Sequence, residues 1–96
     1  MEPRFFVVTY LLAGPGQSSG LAALLKKEYK GTQIFKSTWI LPVFGSTDIK
    51  LIRSGIKKYL DANDHLIIIE VRDPKKWVSF GSSLKKRILK ASRSAR

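Results

Sequence analysis

The fold is decided by residues 46–71, STDIKLIRSGIKKYLDANDHLIIIEV, where a helical pattern is followed by a strand pattern. Ser46, Thr47 and Asp48 supply a helix cap and an acidic first turn. Apolar residues then recur at helical spacing, and basic residues occupy the rest of the circumference. The apolar stripe consists of Ile49, Ile52, Ile56, Tyr59 and Leu60. After a polar turn at 61–64, the aliphatic run 66–71 predicts a strand.

Upstream of this helix, the sequence predicts a strand, a helix and two more strands. Residues 5–12 are aromatic and β-branched and stop at a Gly-Pro-Gly loop, as a strand would. Leucines at helical spacing predict a helix from about 20 to 30, with Gly31 as its stop. Residues 32–44 predict two strands with a reversal near 36–38, and Pro42 puts the second one beside an edge or an irregularity.

The predicted order of strands and helices is typical of a ferredoxin-like α+β sandwich. In that fold a four-stranded antiparallel sheet carries two helices on one face. We assign residues 1–82 to this domain and residues 83–96 to a basic C-terminal tail or short helix, with a short extra strand at 77–80. The strands 5–12 and 66–71 are apolar on both faces, although two helices cover only one. A second copy of the chain is the simplest cover for the other face, which predicts a homodimer.

Charge is the unusual property of the composition. The 96 residues include 18 Lys and Arg against 7 Asp and Glu, a formal net charge of +11. Such a field favours polyanions, either nucleic acid or an anionic membrane surface. The first apolar stretch is too short to span a bilayer, and no cysteine is present, so we expect a cytoplasmic protein without membrane partners, disulfides or thiolate metal sites.

The basic residues fall into three groups: the end of the first helix, the circumference of the second, and the tail. Few acids neutralise them, which makes them candidates for phosphate contacts. The candidates are Lys26, Lys27, Lys30, Lys50, Arg53, Lys57, Lys58, Lys85, Lys86, Arg87 and Lys90. No pattern for reading bases is present, since the sequence has no recognisable recognition helix, zinc finger or stacking motif.

Four local strings, in order and spacing, resemble the CRISPR-associated Cas-two-like superfamily. They are FVVTYLL (6–12), STWI (37–40), YLDANDHLII (59–68) and WVSFG (77–81). The likeness covers about 4–81 and is closer to stand-alone SinR-like members, with the VapD toxins more distant.

The resemblance implies a ferredoxin-like protomer and a dimer built sheet to sheet, with a last short strand added to the partner's sheet. On that basis we place Tyr10, Trp77, Val78 and Phe80 at the dimer interface. In the adaptation complex such dimers hold duplex DNA by its backbone, and some members are reported as metal-dependent nucleases. The family's first strand typically ends in Tyr-Asp, but here Leu11 follows Tyr10, so the expected oxygen ligand for a hard cation is missing.

The other candidates for chemistry have structural interpretations. Asp61 and Asp64 are turn formers, Glu70 suits an ion pair or the protection of an edge strand, and His65 lacks a neighbouring catalytic group. The loop Gly14-Pro15-Gly16 is most simply a connection, although a helix start beside it would also suit an anion. We therefore assign no catalytic residue, metal or cofactor.

The leading hypothesis is a non-catalytic homodimer that binds the phosphate backbone of duplex DNA or structured RNA through its basic helices and tail. Two alternatives stay open. One is a metal-dependent endoribonuclease of the same fold with relocated ligands. The other is a protein-binding adaptor or inhibitor, in which sheet edges or the tail capture a partner protein.

Overall fold

Between Arg4 and Val71, four strands and two helices follow one another in the order that the sequence predicts. The structure, a computed structural model, describes residues 4–14, 18–45, 47–72, 86–88 and 90. The elements are β1 (Arg4–Leu11), α1 (Ser18–Ala23, continued by a π-helical turn over Leu24–Glu28), β2 (Thr32–Phe35), β3 (Thr38–Val43), α2 (Ile49–Lys57) and β4 (His65–Val71). Within the described ranges, no helix is long and apolar enough to cross a membrane.

The strands form one antiparallel sheet in the order β2-β3-β1-β4. With α1 and α2 against one face, this is the ferredoxin-like arrangement, which confirms the predicted fold class. The expected extra strand at Trp77–Phe80 and the domain boundary at 82 lie outside the described residues.

The helix-covered face of the sheet holds the main core. Alternate residues of β1, among them Phe6 and Val8, meet Leu21 and Leu25 of the first helical segment and Ile56 of α2. All five side chains are at most 1% exposed. The alternation of the strand and the 3.6-residue period of the helices therefore direct these side chains into one shared core.

The start of α2 confirms the predicted cap. The Asp48 carboxylate accepts a hydrogen bond from the backbone N–H of Lys50 at 2.9 Å, which satisfies one of the free donors of the first turn. Just before it, the Thr47 hydroxyl donates to the Phe44 carbonyl at 2.7 Å. These short polar side chains fix where the chain turns into the helix.

The end of the first helical segment differs from the prediction. Lys30, and not Gly31, takes the left-handed conformation, with φ +57°. The Gly31 N–H donates to the Leu25 carbonyl at 2.8 Å. A Cβ on Gly31 would lie 2.8 Å from that oxygen and closer still to Leu41, so the glycine serves close packing.

Pro42 lies in a central strand, between β1 and β2 in the sheet order. On the β1 side it pairs with Phe5, but on the other side β2 pairs only as far as Ile40. Pro42 thus has a neighbouring strand on one side only, and its missing N–H leaves no gap in the β2 ladder. The predicted edge is therefore a local one.

Two glycines set the contact between the helices. A Cβ on Gly20 would lie 3.0 Å from the Tyr59 ring, and a Cβ on Gly55 would overlap the Tyr29 hydroxyl. Each helical segment therefore offers a glycine to a tyrosine from the other. This reciprocal packing holds the two basic helices at a fixed separation.

The second face of the sheet is covered in part by the C-terminal residues of the same chain. Phe5, Ile34 and Ile40 form a small core there with Ile88, which is 8% exposed. Beside it the Arg87 guanidinium donates to the Ile34 carbonyl at 3.0 Å. The chain itself thus supplies some of the cover that the sequence assigned to a second copy.

Candidate nucleic-acid interface

Seven of the predicted phosphate-binding residues lie on the two helices and their C-terminal ends, on one face of the sheet. We call them the helix-layer cations: Lys26, Lys27, Lys30, Lys50, Arg53, Lys57 and Lys58. All seven are exposed. Seven residues that were predicted from separate stretches of the sequence therefore lie in one layer of the fold.

Their arrangement follows from helix geometry. Lys50, Arg53 and Lys57 are spaced i, i+3 and i+7 along α2, so they form one ridge beside the buried Ile52 and Ile56 stripe. On the first helical segment, Lys27 borders the surface groove that Tyr59 also lines. The cations thus extend across the layer.

Of the five acids among the described residues, three have recorded hydrogen-bond or ion-pair partners: Asp48, Asp64 and Glu70. Asp48 caps α2. Asp64 accepts from the backbone N–H of Ala13 and of Asp61, both at 2.7 Å, which confirms the turn role. These two hydrogen bonds, that from Asp61 first, hold the pKa of Asp64 below its ordinary value.

Glu70 forms the ion pair that its position predicted, and its partner is Arg4. The Arg4 guanidinium lies 2.7 Å from the Glu70 carboxylate. This hydrogen bond lowers the pKa of Glu70 and raises that of Arg4. Across the described part of the chain, none of the helix-layer cations has a salt-bridge partner.

Glu28 is the one acid inside the helix layer that has no backbone or ion-pair role among the described residues. The pKa of the neighbouring Tyr29 is raised, first by burial of its hydroxyl and second by the negative charge of Glu28. Two exposed carboxylates, Glu28 and the cap residue Asp48, among seven cations leave the layer positive. The local field therefore keeps the sign that the composition predicted.

The C-terminal candidates lie apart from the helix layer. Lys86, Arg87 and Lys90 belong to the helical residues over the second face of the sheet, and Arg87 is anchored to Ile34. Lys85 lies outside the described residues. The described tail residues and the helix layer therefore present two separate basic surfaces.

Tyr10 is not where the predicted dimer interface required it. Its side chain is 8% exposed and packs in the helix-side core, where its hydroxyl accepts from Trp39 Nε1 at 3.3 Å. The alternation of β1 turns it away from the open second face, which corrects the placement of Tyr10. Trp77, Val78 and Phe80, the other predicted interface residues, lie outside the described residues.

Leu11, the last residue of β1, pairs with His65, the first residue of β4. Leu11 is 68% exposed. In the described ranges no three His, Cys, Asp or Glu side chains come together as a metal site would require. The metal-dependent endoribonuclease alternative stays a prediction, and the described residues do not supply a metal-ligand set for it.

Sequence reasoning missed a groove at the end of β1, of about 740 Å³. Its lining combines residues from β1, the first helix and the β2–β3 turn, including Tyr10, Ser19, Gln33, Lys36 and Ser37. These residues are distant in sequence and form no local motif. Only Lys36, a cation in a predicted turn, offered a signal.

The fold places the chain in the class of ferredoxin-like α+β proteins. No family model matches it, and no curated protein matches it. It is similar to the crystal structure of a hypothetical protein TT1823 from Thermus thermophilus, with a TM-score of 0.65 and 25% identity. The match covers 83% of this chain and 93% of that one. The likeness supports the fold.

Proposed function

We propose that this protein binds nucleic acid through the phosphate backbone, using its helix layer as the contact surface. The observation that carries the proposal is the set of seven exposed helix-layer cations, which have no salt-bridge partner among the described residues. Duplex nucleic acid is the polyanion whose closely spaced charges suit such a layer. Six of the seven are lysines, which act as point charges on phosphate and do not read bases in a bidentate way.

The proposed partner is a duplex DNA or a structured RNA, bound without base specificity. The reciprocal Gly20–Tyr59 and Gly55–Tyr29 contacts fix the two helices, so the cations approach the backbone from a rigid platform. Preorganised charges lose less conformational freedom on binding than charges on a mobile loop. We therefore expect the protein to recognise the shape and the charge density of a duplex, and not its base sequence.

A salt series tests the helix layer. Wild-type protein should bind a duplex with log K falling linearly against log salt, and contacts to about six phosphates would cost roughly a thousandfold between 50 and 200 mM. Changing Lys50, Lys57 and Lys58 together to Gln should weaken binding and reduce the steepness of the salt dependence by about three phosphates' worth. Electrophoretic mobility shifts or fluorescence anisotropy would measure both.

The matched control changes the same three lysines to Arg, which keeps the charge at the same sites. This variant should retain both the affinity and the salt slope. Binding that ignores salt, or that survives the Gln substitutions unchanged, would remove the helix layer as the contact surface.

The homodimer is part of the proposal and rests on the open half of the second face. Ile67 and Ile69 of β4 are 57% and 52% exposed, next to exposed Leu11 on β1. Exposed aliphatic side chains on two paired strands are typical of a surface that associates. Because the helix layer lies on the opposite face, a dimer formed here leaves both layers accessible to nucleic acid.

Sedimentation over a concentration range tests the dimer. Changing Ile67 and Ile69 together to Lys should give monomers that keep the wild-type far-UV circular dichroism, whereas Leu51→Lys on the helix layer should leave the dimer intact. A wild-type protein that is monomeric throughout would refute the dimer and leave the helix-layer proposal standing.

A further inference from the structure

The groove at the end of β1 combines hydrogen-bond donors with apolar walls. Its volume of about 740 Å³ falls within the ~300–1,000 Å³ typical of small-molecule sites. Leu12, Ala13 and Ala22 line one part of it, and the Lys36 and Ser37 turn lines another. None of the described lining residues is acidic and Lys36 is the one cation among them; the nearby Asp64 carboxylate accepts from the Ala13 N–H at 2.7 Å.

Tyr10 brings a donor to this groove that its neighbours in the core do not use. Trp39 Nε1 donates to the Tyr10 hydroxyl oxygen at 3.3 Å, and an indole nitrogen can only donate. The hydroxyl hydrogen is therefore not used in this contact, and no acceptor for it is recorded among the described residues. Tyr10 is a lining residue of the groove, and a largely buried hydroxyl with a spare hydrogen suits an acceptor on a ligand.

The turn that carries Lys36 is held in place by the sheet. Gln33 Nε2 donates to the Lys36 carbonyl at 3.1 Å, and the Tyr10 N–H donates to the Ser37 carbonyl at 3.1 Å. The Thr9 and Thr38 hydroxyls bond each other at 3.0 Å beside it. Lys36 is exposed and has no ion-pair partner in the described part of the chain, so its charge is presented from a braced backbone.

We propose that this groove binds a nucleotide through a terminal phosphomonoester. Lys36 supplies the charge for the phosphate, the Tyr10, Ser19 and Ser37 hydroxyls supply hydrogen bonds, and the apolar wall takes the base or sugar. The same chemistry occurs in a free nucleoside monophosphate and at the phosphorylated end of a strand. The strand-end form rests on the proposed nucleic-acid binding, whereas the free-nucleotide form does not.

Binding measurements on four probes test the proposal. The probes are one labelled oligonucleotide with a 5′-phosphate, the same oligonucleotide with a 5′-hydroxyl, a free nucleoside monophosphate and the unphosphorylated nucleoside. Wild-type protein should prefer each phosphorylated probe over its counterpart by about tenfold or more. Lys36→Gln should abolish this preference, and Lys36→Arg should restore most of it.

Tyr10→Phe removes the spare hydroxyl donor and keeps the ring in the core. It also removes the acceptor of Trp39 Nε1, so denaturant unfolding is measured beside binding to separate a loss of stability from a loss of the ligand contact. It should weaken the phosphorylated probes by about threefold to tenfold, with an unchanged far-UV circular dichroism spectrum. Thr32→Val, which also removes one hydroxyl but from a β2 residue that does not line the groove, is the control and should leave probe binding unchanged.

Each outcome separates this proposal from the preceding one. If oligonucleotides bind with salt dependence but without preference for a phosphate end, and the monophosphate does not bind, the groove proposal is overturned and the helix layer stands. If the monophosphate binds through Lys36 and no oligonucleotide binds, the groove proposal is supported and the proposed function fails. Preference that survives Lys36→Gln overturns the groove proposal.

Discussion

The two faces of the sheet differ in how they are covered. On the helix side, Leu21, Leu25 and Ile56 are all fully buried against β1 and β3. On the second face, Ile88 covers the area around Phe5 and Ile40, while β4 keeps its outward aliphatic side chains exposed.

The difference separates two kinds of apolar surface. Two helices with a stripe at the 3.6-residue period can bury an entire sheet face within one chain. A few C-terminal residues bury only a part of the other face. The helix side should therefore govern the stability of the protomer, and the second face should govern association and local opening.

The largest effect is expected from Ile56→Ala in the helix-side core. Ile56 is fully buried, so its truncation leaves a cavity and should lower the free energy of unfolding by about 2–5 kcal/mol. Chemical denaturation would measure it. Leu51→Ala on the same helix changes a side chain that is 65% exposed, so its effect on the free energy of unfolding should be near zero. Equal losses at the two positions would contradict the assigned core.

The next effect is expected from Gly31→Ala, at the close approach beside the first helix. The added methyl would meet the Leu25 carbonyl at 2.8 Å and the Leu41 side chain, and backbone cannot yield as a side chain tip can. Such overpacking should cost about 1–3 kcal/mol in thermal or denaturant unfolding. Gly14→Ala, where a Cβ would meet nothing within 4 Å, is the control.

A smaller global effect is expected from Ile88→Ala on the second face. The C-terminal residues can detach from Phe5 and Ile34 while the sheet stays folded, so the loss is limited to that local contact. Hydrogen exchange should show earlier opening around Ile34, with the midpoint of global unfolding changed less than by Ile56→Ala. Lys86→Ala, an exposed neighbour, should change neither measurement.

The smallest effect is expected from Asp64→Asn and depends on pH. The folded-state pKa of Asp64 lies below its ordinary value of 3.8, so the unfolded chain binds the proton more readily. Its contribution to stability is present above that ordinary value and is lost as the pH falls through the folded pKa. Wild type and variant should therefore differ at neutral pH and converge in acid, when followed by unfolding at several pH values.

The order of elements could be predicted from the sequence because each signal was local. Asp48 caps α2 as its position before the apolar stripe indicated, and the 66–71 run forms β4. The end of the first helix was harder to predict. Lys30 takes the left-handed conformation, and Gly31 is needed because its neighbour is Leu41, a residue of β3 that is distant in sequence.

The cations of the helix layer were predictable for the same reason, since helical spacing alone sets their places. The groove was not, because Tyr10, Ser19 and Lys36 come together only when β1, the first helix and the β2–β3 turn assemble. Tyr10 was misplaced for a related reason. A strand apolar on both faces gives no indication of which residues the helices will cover.

The paired glycine and tyrosine contacts between the helices have a consequence for selectivity. Gly20 accommodates Tyr59 and Gly55 accommodates Tyr29, so neither helix can slide or tilt without displacing an aromatic ring. The backbone positions of the basic residues on the two helices therefore keep a fixed separation. Under the proposed function, a nucleic acid whose phosphates match that spacing would gain several contacts at once, and one that does not would have to bend to fit.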